Sequence, residues 1–187
     1  MIDAQDKTER GIYMKKIFFI VDCSGSLTPD DAIKIEQIND LVRDSINQCI
    51  SKGNDNINVI CYADIAEVYW KSSSNHLFRD IPHEKFGGRS NLGRAYGCVK
   101  SLLSHSRIPV HDCITVLISD GEATDNYRLA LQTLDGKNES TRLSFSIGTS
   151  YSTTLYHASA PIFMFKNGIR DREAFLERLG NVIQDER

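Results

Sequence analysis

The chain has 187 residues, a formal net charge of −3, 41% hydrophobic and 25% charged residues. That length suits one domain able to bury about 70% of its unfolded surface, so folding needs neither disulfides nor a structural metal. No Lys/Arg cluster offers the electrostatic footprint of a nucleic-acid binder, and no segment approaches the ~20 apolar residues that span a bilayer.

Residues 1–13 read as an N-terminal extension, either a disordered lead or a short extra element, and Met14 offers a second translation start; the domain runs over 14–187. Lys15-Lys16 before an apolar run mimic a secretory start, but the run is too short and Asp22 ends it. Ile17 to Val21 is a continuous β-branched and aromatic run, the pattern of a strand buried on both faces. Thr28-Pro29-Asp30-Asp31 predicts a helix start, with Thr28 as N-cap and acids in the first turn. Ile35, Ile38, Val42 and Cys49 follow at helical spacing, and Gly53 can stop the helix. Ile57 to Ala63 and Ala66 to Trp70 predict two strands so close that they form an antiparallel hairpin at a sheet edge.

After a polar stretch from Lys71 to Glu84, Phe86-Gly87-Gly88-Arg89-Ser90-Asn91 predicts a loop. It opens a helix carrying Leu92, Ala95, Tyr96, Val99, Leu102 and Leu103 on one face. Cys113 to Ser119 is a further apolar strand ending at Asp120-Gly121-Glu122. A helix from about Asp125 to Leu134, a strand from Leu143 to Ile147, a short helix near Tyr151 to Ala158, a strand from Pro161 to Phe165 and a helix from Asp171 to Ile183 complete the order. Alternating strands and helices predict an α/β fold: a doubly wound, mostly parallel six-stranded sheet with one antiparallel edge strand and helices on both faces.

The five cysteines, Cys23, Cys49, Cys61, Cys98 and Cys113, are odd in number, widely spread and without CxxC spacing. They read as reduced core residues of a cytoplasmic protein. The histidines His76, His83, His105, His111 and His157 show no metal-ligand spacing. Trp70 is expected on the hairpin edge; Tyr127, Tyr151 and Tyr156 suit a binding rim or ordinary packing equally well.

In an open α/β sheet, ligands bind beyond the carboxyl ends of the strands. There the loops bring Asp22, Ser24 and Ser26, then Ser90, then Asp120. Two carboxylates and three hydroxyls are hard oxygen donors, suited to Mg²⁺, with Mn²⁺ or Ca²⁺ as alternatives, rather than to Zn²⁺ or copper. Residues two apart on an extended loop point the same way, so Asp22, Ser24 and Ser26 can converge. Asp125 suits a helix N-cap better than a ligand, and Glu122 suits a solvated position.

Asp22-Cys23-Ser24-Gly25-Ser26 resembles the DxSxS signature of the metal-ion-dependent adhesion site in von Willebrand factor A-type domains, and Ser119-Asp120-Gly121 resembles that family's third loop. Within the family, Asp120-Gly121-Glu122-Ala123-Thr124-Asp125 is similar to a string in bacterial TerY-like proteins associated with tellurium resistance. The second loop departs from the usual Gly-Gly-Thr: Ser90 fits the threonine position, and Arg89 then stands where a glycine is usual, a cation beside the metal. The resemblance implies direct metal ligation by Ser24 and Ser26, ligation by Ser90 directly or through water, and water-mediated roles for Asp22 and Asp120. It implies a partner protein that supplies an Asp or Glu to the metal, with a protein kinase or phosphatase of the same stress-response system as candidates, and no enzymatic activity.

Two alternatives stay in view. A strand ending in Asp22 also opens phosphoryl-transfer hydrolases, but these need a second carboxylate where Ser24 stands. No P-loop or Gly-x-Ser-x-Gly elbow is present. The other alternative is an adaptor of the same fold whose metal site is not functional.

Overall fold

The computed structural model describes residues 15–26, 32–74, 76–120, 123–135, 140–147, 153–158, 162–165 and 169–184. The apolar run predicted as the first strand forms β1 (Lys16–Asp22), buried along its whole length. Parallel neighbours on both sides, β2 (Ile57–Tyr62) and β4 (Cys113–Ser119), explain why the run lacks polar alternation. β3 (Ala66–Lys71) pairs antiparallel with β2 and has a register shift opposite Val59/Ile60. With β5 (Thr141–Ile147) and β6 (Ile162–Phe165) the sheet order is β3-β2-β1-β4-β5-β6.

Alternate residues of β1 serve two cores. Ile17, Phe19 and Val21 pack with Ile35, Ile38 and Val42 of α1 (Ala32–Ser51) and Phe175 and Leu179 of α5 (Ile169–Gln184). Phe18 and Ile20 pack on the other face with Leu92, Tyr96 and Val99 of α2 (Leu92–Ser106), Leu131 of α3 (Tyr127–Asp135) and Leu155 of α4 (Thr153–Ala158). Each such side chain contributes about 1.5–3 kcal/mol through burial. Gly53, at φ 76°, ends α1 as expected: its N–H donates to Ile50 O at 2.9 Å, and Asn54 N–H to Cys49 O at 3.0 Å.

The α/β architecture, six strands and antiparallel edge agree with the sequence expectation. Boundaries differ slightly: β2 stops at Tyr62, β5 begins two residues earlier, and α3 begins at Tyr127, leaving Asp125 outside it. The segment Lys71 to Glu84 is less polar in role than in composition. Ile81 is buried, and Phe78 makes edge contacts with Tyr69 and Trp70, whose indole N–H donates to His76 O at 2.9 Å. Tyr127 is a core residue. The expectations for residues 1–13, Thr28-Pro29, Gly121-Glu122, Tyr151 and Pro161 fall outside the described residues.

Candidate functional site

The connection from β1 to β2 lies on one side of β1 and β4 lies on the other, so the strand order reverses beside β1. Crevices at such reversals, beyond the carboxyl ends of strands, are where these sheets bind ligands. Asp22 ends β1 and Asp120 follows β4, one on each side of that crevice.

All five sequence-predicted residues meet there in a continuous hydrogen-bonded chain. Ser90 Oγ donates to Asp22 Oδ2 at 3.0 Å. Asp22 Oδ1 accepts from Ser24 N–H at 2.9 Å, a local turn of the kind Asp favours. Ser24 Oγ and Ser26 Oγ are 3.1 Å apart, and Ser26 Oγ donates to Asp120 Oδ1 at 2.9 Å. Adjacent ligands of an octahedral ion with bonds of about 2.1 Å stand roughly 3 Å apart. The Ser24–Ser26 separation therefore fits neighbouring positions around a small hard cation, while Asp120 holds the Ser26 hydroxyl by its proton.

Backbone bonds assemble the loops. Gly25 N–H donates to Gly88 O at 2.9 Å, and Gly87 N–H to Cys23 O at 2.8 Å. A Cβ on Gly25 would come within 3.2 Å of Gly88 O, so the two chains touch closely there. Gly88 has φ 82°, and a Cβ on it would overlap the Asp64 carboxylate. Asn91 N–H donates to Ala63 O, and Thr124 N–H to Ser90 O at 2.7 Å, tying the second loop to the hairpin turn and to the loop after β4.

Several participants escaped the sequence reading. Tyr62 OH and Ser119 Oγ donate to Asp22 Oδ2 at 3.1 and 2.7 Å. Burial, with the Asp22 charge added, holds the Tyr62 phenol well above its ordinary range, so it stays a donor. The register pairs Asp22 with Tyr62, a relation that only the folded sheet supplies; a tyrosine closing an apolar strand was the available hint. Asp125 does cap a helix, but not the one after it: its carboxylate accepts from Gly93 N–H, in the first turn of α2, at 2.9 and 3.1 Å. Asn91, the residue preceding α2, makes no side-chain cap there.

Among the described residues, the cation within ion-pair reach of Asp120 is not the one expected. Arg89 is exposed, and its backbone N–H reaches Asp64 Oδ1 at 3.3 Å. Lys34, from α1, places Nζ 3.9 Å from Asp120 Oδ2. Asp120 has a side chain 7% exposed. Burial raises its carboxyl above the usual carboxylate range; the Ser26 hydrogen bond opposes this, the Asp22 charge adds to it, and Lys34 opposes it.

The profile of the von Willebrand factor type A domain matches residues 17–122. Curated protein sequences give no match. Among solved structures, a von Willebrand factor type A protein from Catenulispora acidiphila is similar at TM-score 0.64 and 16% identity, over 92% of this chain and 44% of that one. Proximal thread matrix protein 1 of the mussel byssus, with a zinc-occupied metal-ion-dependent adhesion site, is similar at TM-score 0.65 and 14% identity, over 90% and 48%. The manganese-loaded TRAP protein of Plasmodium vivax is similar at TM-score 0.52 and 15% identity, over 71% and 57%. The chain spans about half the length of the solved chains it matches first. At these identities the likenesses speak to the fold, while the profile covers more than half of the sequence, including the first and third loops. The chain belongs to the von Willebrand factor type A domain family.

Proposed function

We propose that the protein is a metal-dependent interaction module that captures an acidic side chain of a protein partner. The observation that carries this reading is the linked oxygen set of Ser24, Ser26, Ser90, Asp22 and Asp120 at the sheet's switch point. Ser26 and Ser90 give their protons to carboxylates, which leaves hydroxyl lone pairs for a cation. Asp22 and Asp120 orient the hydroxyls and suit water-mediated contact. A bound Mg²⁺, or Mn²⁺ or Ca²⁺ in its place, supplies an electrophilic position that a partner's Asp or Glu completes. Ser26, the exposed member of the set, marks the open side.

Phosphoryl transfer through Asp22 is the weaker reading. Asp22 is fully buried and engaged by four donors, whereas a nucleophile must reach its substrate. The adaptor alternative draws its support from Lys34, whose ammonium already stands beside Asp120. By likeness to TerY-like proteins, we assign the module to a bacterial stress-response system of the tellurium-resistance kind, with a kinase or phosphatase as partner. The cytoplasm is the matching compartment, in keeping with five free thiols. Among the described residues no helix is long and apolar enough to cross a membrane.

Calorimetric titration with Mg²⁺ or Mn²⁺ tests the reading. Wild type is expected to bind, and Ser24→Ala to lose binding at least tenfold, a difference of about 1.4 kcal/mol. Equal heats from the two proteins would return the loop to the role of a hydrogen-bonded scaffold.

A further inference from the structure

At the far end of β1 from Asp22, the sheet and the last turn of α2 leave a second cleft, about 500 Å³ in volume. Lys16, Asn58 and Lys71 line it from the sheet, and His105 and Ser106 from α2. The register sets Phe18 beside Asn58 and Asn58 beside Lys71, one row across three strands. Lys16, two residues before Phe18, shares its face, with Nζ 5.7 Å from that ring's centroid.

Two groups in this cleft keep polar capacity that the described residues do not fill. Lys16 is 8% exposed, and among the described residues its ammonium donates to the Ser106 hydroxyl at 2.9 Å. Among the described residues no carboxylate pairs with Lys16 or Lys71. Asn58 is 5% exposed and lines the cleft, yet its amide has no hydrogen bond among the described residues. The Asn58 amide atoms open onto the cleft and the Lys16 ammonium reaches it with no carboxylate beside it, so both groups are available to a ligand. Burial, with the like charge of Lys71 added, lowers the Lys16 ammonium from its usual value. An anion between the two lysines offsets their mutual repulsion and gives the Asn58 amide an acceptor.

We propose that this cleft binds the phosphate group of a small molecule, with Lys16 and Lys71 as point charges and Asn58 as the amide donor. Lysine suits phosphate as a point charge. The Ser73 and Ser106 hydroxyls on the lining add donors beyond the two oxygens a carboxylate presents, which favours a tetrahedral oxyanion. Asp55 also lines the cleft but is exposed, and the two lysines outnumber its charge. The site is separate from the metal-site reading and stands or falls without it.

The test is titration of isotope-labelled protein with inorganic phosphate and, separately, glycerol 3-phosphate, at constant ionic strength in chloride, following the Asn58 side-chain amide by NMR. Saturable shifts with a Kd at or below about 1 mM are expected. Lys71→Met, at the exposed edge of β3, should weaken binding about tenfold while the amides of residues 22–26 stay unmoved. Tighter binding of glycerol 3-phosphate identifies a phosphorylated metabolite, and tighter binding of inorganic phosphate identifies the free ion; both support the site. Shifts that stay linear to about 20 mM for both probes, or that Lys71→Met leaves unchanged, overturn it.

Discussion

Burial raises the Asp120 carboxyl because its side chain is almost closed to water and Asp22 adds a like charge. A carboxyl whose folded pKa exceeds the unfolded one stabilises the fold only below the unfolded value, about 3.9, and that stabilisation is lost as pH rises through the folded value. At neutral pH the ionised Asp120 therefore counts against the metal-free fold. Asp120→Asn keeps an oxygen for Ser26 and should raise the Tm by about 1–3 °C at pH 7 in chelator. Thermal unfolding at two pH values checks this: the gain should shrink near pH 4, and a lower Tm for the variant at pH 7 would contradict it. Lys34 bears on the same carboxylate from the other side. Replacing it by Met removes a competitor for the cation, so Mn²⁺ affinity should rise about 2–5-fold, the range of a partly exposed charge pair. Unchanged or weaker Mn²⁺ binding by Lys34→Met in a direct titration would contradict that role.

The elements show which features the sequence made readable. β1, β2 and β4 stood out because burial on both faces leaves apolar runs without alternation. Two of the three loops followed from strand ends and the second from a helix start, and the five oxygen residues do meet. What could not be read is anything that depends on register: Tyr62 reaches Asp22 because the strands align those residues. Asp125 was misplaced for a different reason, since an Asp before an amphipathic run looks the same whether it caps its own helix or another. Its bond to Gly93 makes a direct prediction. Asp125→Ala should destabilise the protein by about 1 kcal/mol, seen as a Tm lower by roughly 2–4 °C, with Asp125→Asn losing less. An unchanged Tm for Asp125→Ala would remove the capping role.

Across the whole molecule, β1 links two different chemistries. Its carboxyl end presents Asp22 to the switch-point crevice, and its start presents Lys16 to the cleft under α2. The hard-oxygen composition of the first was visible in one sequence because the family's loop places Asp, Ser and Ser two apart. The second was not, since Lys16, Asn58 and Lys71 are brought together only by three aligned strands. The central claim is that a divalent cation sits among Asp22, Ser24, Ser26, Ser90 and Asp120. Substoichiometric Mn²⁺ added to isotope-labelled protein tests it directly, because the paramagnetic ion broadens nearby amides. The account predicts broadening centred on residues 22–26, 88–91 and 119–120, and its loss in Ser24→Ala. Broadening centred elsewhere, or unchanged by that substitution, would contradict it.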